Sequence, residues 1–147
     1  MTARIWDLGG KDVGESALTS GHCVRTLVGH TAGVGAVAAL DDKVLTASRD
    51  CTIKLWGIAG GGCLSTLTGH TRPVRSLFVS GNRVVSWGDD HRVRIWSLTR
   101  GEELGSLEGH EGEVTETLMV QDSIITASTD GTVRTWRFGE KKDNWHT

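Results

Sequence analysis

The sequence contains no stretch of 18 apolar residues, which excludes a membrane-spanning helix, and its opening "MTARIWDLGG" has an early aspartate where a signal peptide has an apolar run. A soluble intracellular protein, cytoplasmic or nuclear and without membrane insertion, is the expectation. An excess of charge of either sign is also missing. With 16 basic residues against 18 acidic ones, nothing draws the chain as a whole to nucleic acid or to an anionic membrane. Cysteine is scarce: Cys23, Cys51 and Cys63 make an odd number, form no CxxC pair and lie in no Cys/His cluster of metal-ligand spacing. This argues against a disulfide framework and a zinc site, and no metal or other cofactor is expected. Proline occurs once and tyrosine not at all, while glycine reaches 20 residues. That is not the profile of a long-helix protein, and frequent turns must follow. A length of 147 residues suits one domain with a modest core.

What is present is a repeat. The pair Gly-His occurs at 29–30, 69–70 and 109–110, and the same step of 40 residues links Asp50, Asp90 and Asp130, then Trp56, Trp96 and Trp136. A period of this size marks a supersecondary unit that cannot bury its faces alone and stacks on copies of itself. Within each unit the apolar residues alternate. In "TIKLW" Ile53 and Leu55 point one way and Lys54 and Trp56 the other, and "RVRIW" and "TVRTW" follow the same scheme. The segments "VLTAS", "VVSWG" and "IITAS" precede them, bounded by hairpin-turn residues. With "VGAVAAL", "VRSLFVS" and "VTETLMV", and with "CLSTL" and "EELGSL" ahead of the Gly-His, the pattern predicts about four antiparallel strands per period, one propeller blade each.

A Gly-His, a hydroxyl residue, an aspartate and a tryptophan recurring in this order resemble the WD-repeat (WD40) β-propeller family. The resemblance covers residues 21–138, and "ARIWDL" at 3–8 is similar to the last strand of one more repeat. It implies an all-β fold of WD40-type blades, three full repeats (21–58, 59–98 and 99–138) plus a partial one, in a single domain over 1–147. Residues 9–20 are expected to form a connecting loop and 139–147 a tail, whose Trp145 either adds to a terminal strand or stays outside the fold. Three full repeats fall short of the 4 to 8 blades of a closed propeller, so ring closure within one chain is not expected.

From histidine to hydroxyl to aspartate to tryptophan the spacing is 16, 4 and 6 in every copy: His30, Thr46, Asp50, Trp56; His70, Ser86, Asp90, Trp96; His110, Thr126, Asp130, Trp136. A single copy would also read as a hydrolase triad. An active site, however, needs one unique cleft with an oxyanion hole, and catalytic groups have no reason to recur at each structural period. In the family this constellation is a buried hydrogen-bond relay from the indole through hydroxyl and imidazole to the aspartate in a tight turn. No catalytic residue is therefore assigned.

Recognition is left to the loops. The rim holding the Gly-His loop and the aspartate turn is the usual binding face of the family, and it would carry Arg49, Arg72, Arg75 and Asp89 on the first two repeats and Glu111 and Glu113 on the third. The arginines would form a small cationic patch able to grip a carboxylate or phosphate. In cadence the chain is most similar to the substrate-receptor propellers of F-box/WD-repeat ubiquitin ligases, where arginines matching Arg49 and Arg75 hold phosphorylated peptides. Trp87 stands where the other repeats have Ala47 and Ala127, either filling core volume or projecting toward the channel as an anchor. The leading expectation is a non-enzymatic scaffold for other proteins or peptides. Its alternatives are a structural subunit docked through open blade faces, a phosphopeptide receptor, and an enzyme using a His/Ser/Asp set; nucleic-acid binding lacks the basic density and stacking platform it needs. Open blade faces would expose apolar residues, to be covered by self-association, by another chain, or by the rest of a longer protein of which this sequence is a fragment.

Overall fold

The computed structural model describes residues 1–7, 21–120, 123–138 and 145–146. The connecting loop expected over 9–20, and the tail expected over 139–147 apart from Trp145 and His146, lie outside the described residues. The fold is all-β, built from antiparallel sheets. Strands β1 (Thr2–Asp7) and β2 (His22–Val28) pair with each other. The first full sheet comprises β3 (Val34–Leu40), β4 (Lys43–Ser48), β5 (Thr52–Gly57) and β6 (Cys63–Thr68), paired in that order. The second comprises β7 (Val74–Ser80), β8 (Arg83–Gly88), β9 (Val93–Ser97) and β10 (Glu102–Leu107). The third comprises β11 (Val114–Val120), β12 (Ser123–Ser128), β13 (Val133–Phe138) and the two-residue β14 (Trp145–His146), which pairs with Arg137 and Phe138.

Tight turns make these meanders. Asp41 and Gly81 sit at φ 50° and 54° between the first two strands of their sheets, a left-handed conformation that glycine and aspartate accept more readily than branched residues do. The turn after the second strand closes through Cys51 N–H to Ser48 C=O at 3.2 Å and Gly131 N–H to Ser128 C=O at 3.1 Å. Each sheet also repeats one irregularity, a register shift at the start of its first strand, between Val34 and Ala36, Val74 and Ser76, and Val114 and Glu116. A bulge there bends the innermost strand at the same point in every copy.

The sheets are out of phase with the sequence repeats by one strand. Strand β6 belongs to the second sequence repeat yet completes the first sheet, and β10 of the third repeat completes the second sheet. Every repeat is thereby stitched to the one before it.

Stacking follows from the alternation. The side of the first sheet that carries Leu45, Ala47, Ile53 and Leu67 packs on the side of the second that carries Val74, Leu77, Val84 and Trp96. The second sheet's other side, with Val85, Trp87, Val93 and Ile95, packs on Val114, Ile124 and Trp136 of the third. Each sheet thus has a rear face toward the preceding sheet and a forward face toward the next, and each fully buried aliphatic side chain contributes about 1.5–3 kcal/mol. Thr135 and Glu116 stand at forward positions filled by Leu55 and Ile95, or by Ala36 and Ser76, in the inner sheets, and both are exposed.

Candidate functional site

The repeated constellation occupies one end of each sheet, where the loop before the first strand meets the turn between the second and third. In the first copy Trp56 Nε1–H donates to Thr46 Oγ1 at 2.8 Å, Thr46 Oγ1 lies 2.7 Å from His30 Nε2, and His30 Nδ1 lies 2.7 Å from Asp50 Oδ2. The ionised carboxylate only accepts, so Nδ1 carries the proton; in the neutral ring Nε2 then accepts from the hydroxyl. The second copy joins Trp96, Ser86, His70 and Asp90 with each of the three contacts at 2.8 Å. The third joins Trp136, Thr126, His110 and Asp130 at 2.9, 2.7 and 2.9 Å. The glycine before each histidine leaves room for the indole: a Cβ on Gly29 would stand 3.1 Å from Trp56 Cη2, and one on Gly69 3.0 Å from Trp96 Cη2.

Each aspartate closes its loop by accepting from backbone. Asp50 takes the N–H groups of Thr31 and Thr52 and the Thr52 hydroxyl. Asp130 takes those of Glu111 and Thr132 and the Thr132 hydroxyl. The second copy has Arg92 in the place of that threonine, and Asp90 accepts the N–H groups of Thr71 and Arg92, with Arg94 Nε 3.7 Å away. Burial pushes the Asp50 carboxyl up, but its bonds to Thr52, His30 and the two backbone N–H groups outweigh burial and hold it well below the usual carboxylate range. Asp90 is lowered in the same balance, with burial opposed first by His70. Asp130 is lowered chiefly by the Thr132 hydroxyl, with His110 adding to it.

This geometry leaves no room for a nucleophile. The hydroxyls of Thr46, Ser86 and Thr126 belong to residues with 0% exposure, each already engaged by an indole on one side and an imidazole on the other. A substrate carbonyl has no path to any of them. Among the described residues no group of three or more His, Cys, Asp or Glu side chains is placed to hold a metal ion, and the three cysteines are free thiols.

The expected partner-binding residues divide into three kinds. Arg49, Arg72, Glu111 and Glu113 are exposed on the rim. Arg75 and Asp89 are joined to each other, Nε to Oδ1 at 2.5 Å and Nη2 to Oδ2 at 2.8 Å, so this guanidinium is committed to a carboxylate and cannot add freely to a cationic patch. Trp87, expected either in the core or as a channel anchor, is buried in the apolar contact between the second and third sheets and offers a partner no surface. Its place follows from alternation along β8, two residues after the forward-facing Val85. Sequence reasoning missed the threonine hydroxyls on Asp50 and Asp130, although an Asp-x-Thr pattern stands in both copies. It also missed the Arg75–Asp89 pair, whose members lie on β7 and in the turn that follows β8.

A sequence model of the WD domain, G-beta repeat (WD40) matches residues 21–57, 61–97 and 101–137. Over 58 residues the chain is 38% identical to Mitochondrial division protein 1 of Neurospora crassa and 34% identical to the protein of that name from Pyricularia oryzae. Each alignment takes in 40% of this chain and spans 7% of the relative's length. Among solved structures, the crystal structure of the computationally designed Ika4 protein matches with a TM-score of 0.70 at 34% identity, over 76% of this chain and 69% of that one. The computationally designed Ika8 protein matches with a TM-score of 0.74 at 32% identity, over 80% of this chain and 37% of that one.

Proposed function

We propose, from the premise that this chain belongs to the WD40 family of G-beta repeats, that it is a non-enzymatic scaffold whose rim loops recognise other proteins or peptides. The observation that carries the reading is the division of labour in each repeat. The side chains with catalytic potential are sealed inside the sheets by one another, while the residues that differ from copy to copy are displayed on the rim. Arg49 and Arg72 supply positive charge there, and Glu111 and Glu113 supply negative charge. A partner meeting this rim finds both signs in a fixed order, which favours a matched surface over a simple polyanion.

The phosphopeptide-receptor reading rests on the same rim. Arg49 and Arg72 suit a phosphate group, but the Arg75–Asp89 pair removes one of the three cations that reading calls on. A second reading, a structural subunit docked through open sheet faces, is favoured by the apolar residues left uncovered at both ends of the stack.

Charge reversal on the rim tests the scaffold. Arg49→Glu with Arg72→Glu, and separately Glu111→Lys with Glu113→Lys, are expected to reduce cross-linking to partners in cells while leaving the melting temperature within about a degree or two. Partner profiles unchanged by both pairs, or a hydrolytic turnover abolished by His70→Ala without loss of stability, would overturn it.

A further inference from the structure

The loop before the first strand and the turn after the second meet at the same slots in every sheet. Arg49, Asp89 and Thr129 each donate their backbone N–H across that meeting point, to the carbonyls of Gly33, Pro73 and Glu113 at 2.8, 3.0 and 2.9 Å. Close by, at the start of the first strand, stand Gly35, Arg75 and Thr115. The second sheet alone fills both slots with charge, and the two charges are opposite. Asp89 is also pinned. Its own N–H is bonded to Pro73, a Cβ on the preceding Gly88 would collide with the same carbonyl oxygen, and only 9% of the residue is exposed. Little freedom is left for its carboxylate to leave Arg75. It takes the Nε–H and one Nη2–H of a guanidinium whose side chain is otherwise half-exposed.

We propose that Asp89 decides which anion the cationic end of the rim accepts: it reserves Arg49 and Arg72 for the carboxylate side chains of an acidic partner segment and turns phosphate groups away. The inference rests on the reading of the rim as a recognition surface. A carboxylate carries one charge on two oxygens, which a single guanidinium matches bidentately. A phosphate monoester is doubly charged near neutral pH, and its three acceptor oxygens call for donors from more than one side. Arg75 is the third cation of this rim, and its Nη1 group has no acceptor among the described residues. That edge is nonetheless a poor seat for a dianion, which would share one guanidinium with the Asp89 carboxylate and lie within reach of Glu113, whose charge also acts on Arg75. The field of Asp89 extends the other way too. Burial holds the Cys51 thiol above its usual value and the charges of Asp50, Asp90 and Asp89 raise it further, so Asp89 is felt in the first sheet's turn, two residues from Arg49. Coulomb repulsion scales with the charge of the ligand, so a dianion meets twice the opposition that a carboxylate does. Arg49 and Arg72, which have no acidic partner among the described residues, are left to take one carboxylate each.

Nuclear magnetic resonance titration of the arginine Nε–H signals tests the proposal, with two probes of equal charge: glutarate, which offers two separate carboxylates, and methyl phosphate, a dianion at about pH 7.5. In the wild type, at fixed ionic strength, glutarate is expected to move Arg49 and Arg72 at lower concentration than methyl phosphate does, and Arg75 is expected to stay still under both. Asp89→Asn should tighten methyl phosphate at least about tenfold, the change that removing one like charge from beside a dianion predicts, and Arg75 should then move with the other two. Adding Arg75→Gln to Asp89→Asn should abolish that gain. Should Asp89→Asn fail to fold by circular dichroism, Asp89→Thr carries the same readout, since threonine is what the third sheet holds in this slot. A wild type that prefers methyl phosphate or answers neither probe, an Asp89→Asn chain with phosphate affinity unchanged, or a gain that survives Arg75→Gln overturns the proposal. Charge-reversed rims that lose their partners in cells while the probes show no preference would sink this inference alone and leave the scaffold standing.

Discussion

Replacing Thr46 by valine isolates the relay from everything else in the first sheet. The shapes match and the site is fully buried, so the change removes one hydroxyl and leaves packing in place. Two partners lose their bond at once: the Trp56 indole N–H, now 2.8 Å from an oxygen, and the His30 Nε2, 2.7 Å from it. Neither can turn to water. A buried polar group left without a partner costs about 1–3 kcal/mol, so the pair is expected to cost about 2–6 kcal/mol. Thr46→Ser is the control, since it keeps the hydroxyl that Ser86 supplies in the second copy and deletes only a methyl, at about 1 kcal/mol. Adding Trp56→Phe to Thr46→Val removes the stranded donor as well, so the double variant is expected to be more stable than the sum of its parts, by about 0.5–3 kcal/mol of coupling. Equilibrium unfolding in urea measures the wild type and the four variants, with the slope held constant to show that only stability has moved. A valine variant no less stable than the serine variant, or strict additivity with Trp56→Phe, would refute the view that this hydroxyl fastens the strands together.

Acid should loosen the same fasteners. Asp50, Asp90 and Asp130 are held below the ordinary aspartate value of about 3.9, so the unfolded chain binds protons first on acidification. The stability they contribute is complete above about pH 5 and drains away as the pH falls below about 4; the urea midpoint should be flat down to the first value and drop beyond the second, with a shallower drop in Asp50→Asn combined with Asp130→Asn. At Trp87, whose indole N–H has no hydrogen-bond partner among the described residues, phenylalanine should cost less than about 1.5 kcal/mol and alanine about 3–5 kcal/mol, read from the same urea curves. A Cβ on Gly88 would run into the Pro73 carbonyl oxygen, a backbone atom that cannot swing aside, whereas one on Gly60 meets nothing within 4 Å. Differential scanning calorimetry should therefore show Gly88→Ala melting well below the wild type and Gly60→Ala unchanged.

The period of the fold was legible because the relay needs fixed spacings: an indole ten residues after its hydroxyl and a histidine sixteen before it cannot drift without breaking bonds. Phase was not legible. A period of 40 looks the same wherever counting starts, so residues 21–58 read as a unit although the first sheet is assembled from β3 to β6. Only hydrogen bonding between β5 and β6 decides which sheet the fourth strand joins. Trp87 had two readings because alternation along β8 fixes which face it takes but not whether another sheet covers that face. The pairing of Arg75 with Asp89 was hidden for a different reason. Their counterparts are Gly35 and Arg49 in the first repeat and Thr115 and Thr129 in the third, so no comparison between copies signals it.

Those same positions show where the chain has freedom to specialise. Relay residues are tied to one another, and forward and rear faces are tied to the neighbouring sheet, so variation between copies is cheapest on the rim. There the first sheet offers Arg49, the second offers Arg72 beside the internally neutralised Arg75 and Asp89, and the third offers Glu111 and Glu113. The exposed charge therefore passes from positive to negative along the stack. A self-neutralised pair in the middle keeps the two ends electrically distinct, since a free Arg75 would extend the positive side toward Glu113, whose charge already acts on it. Under the proposed function, such a gradient would orient an approaching partner and set its register more than it adds affinity, and it would weaken as salt rises because the groups are solvent-exposed. Recognition by this rim should accordingly be lost in association rate before it is lost in dissociation rate when the ionic strength is increased.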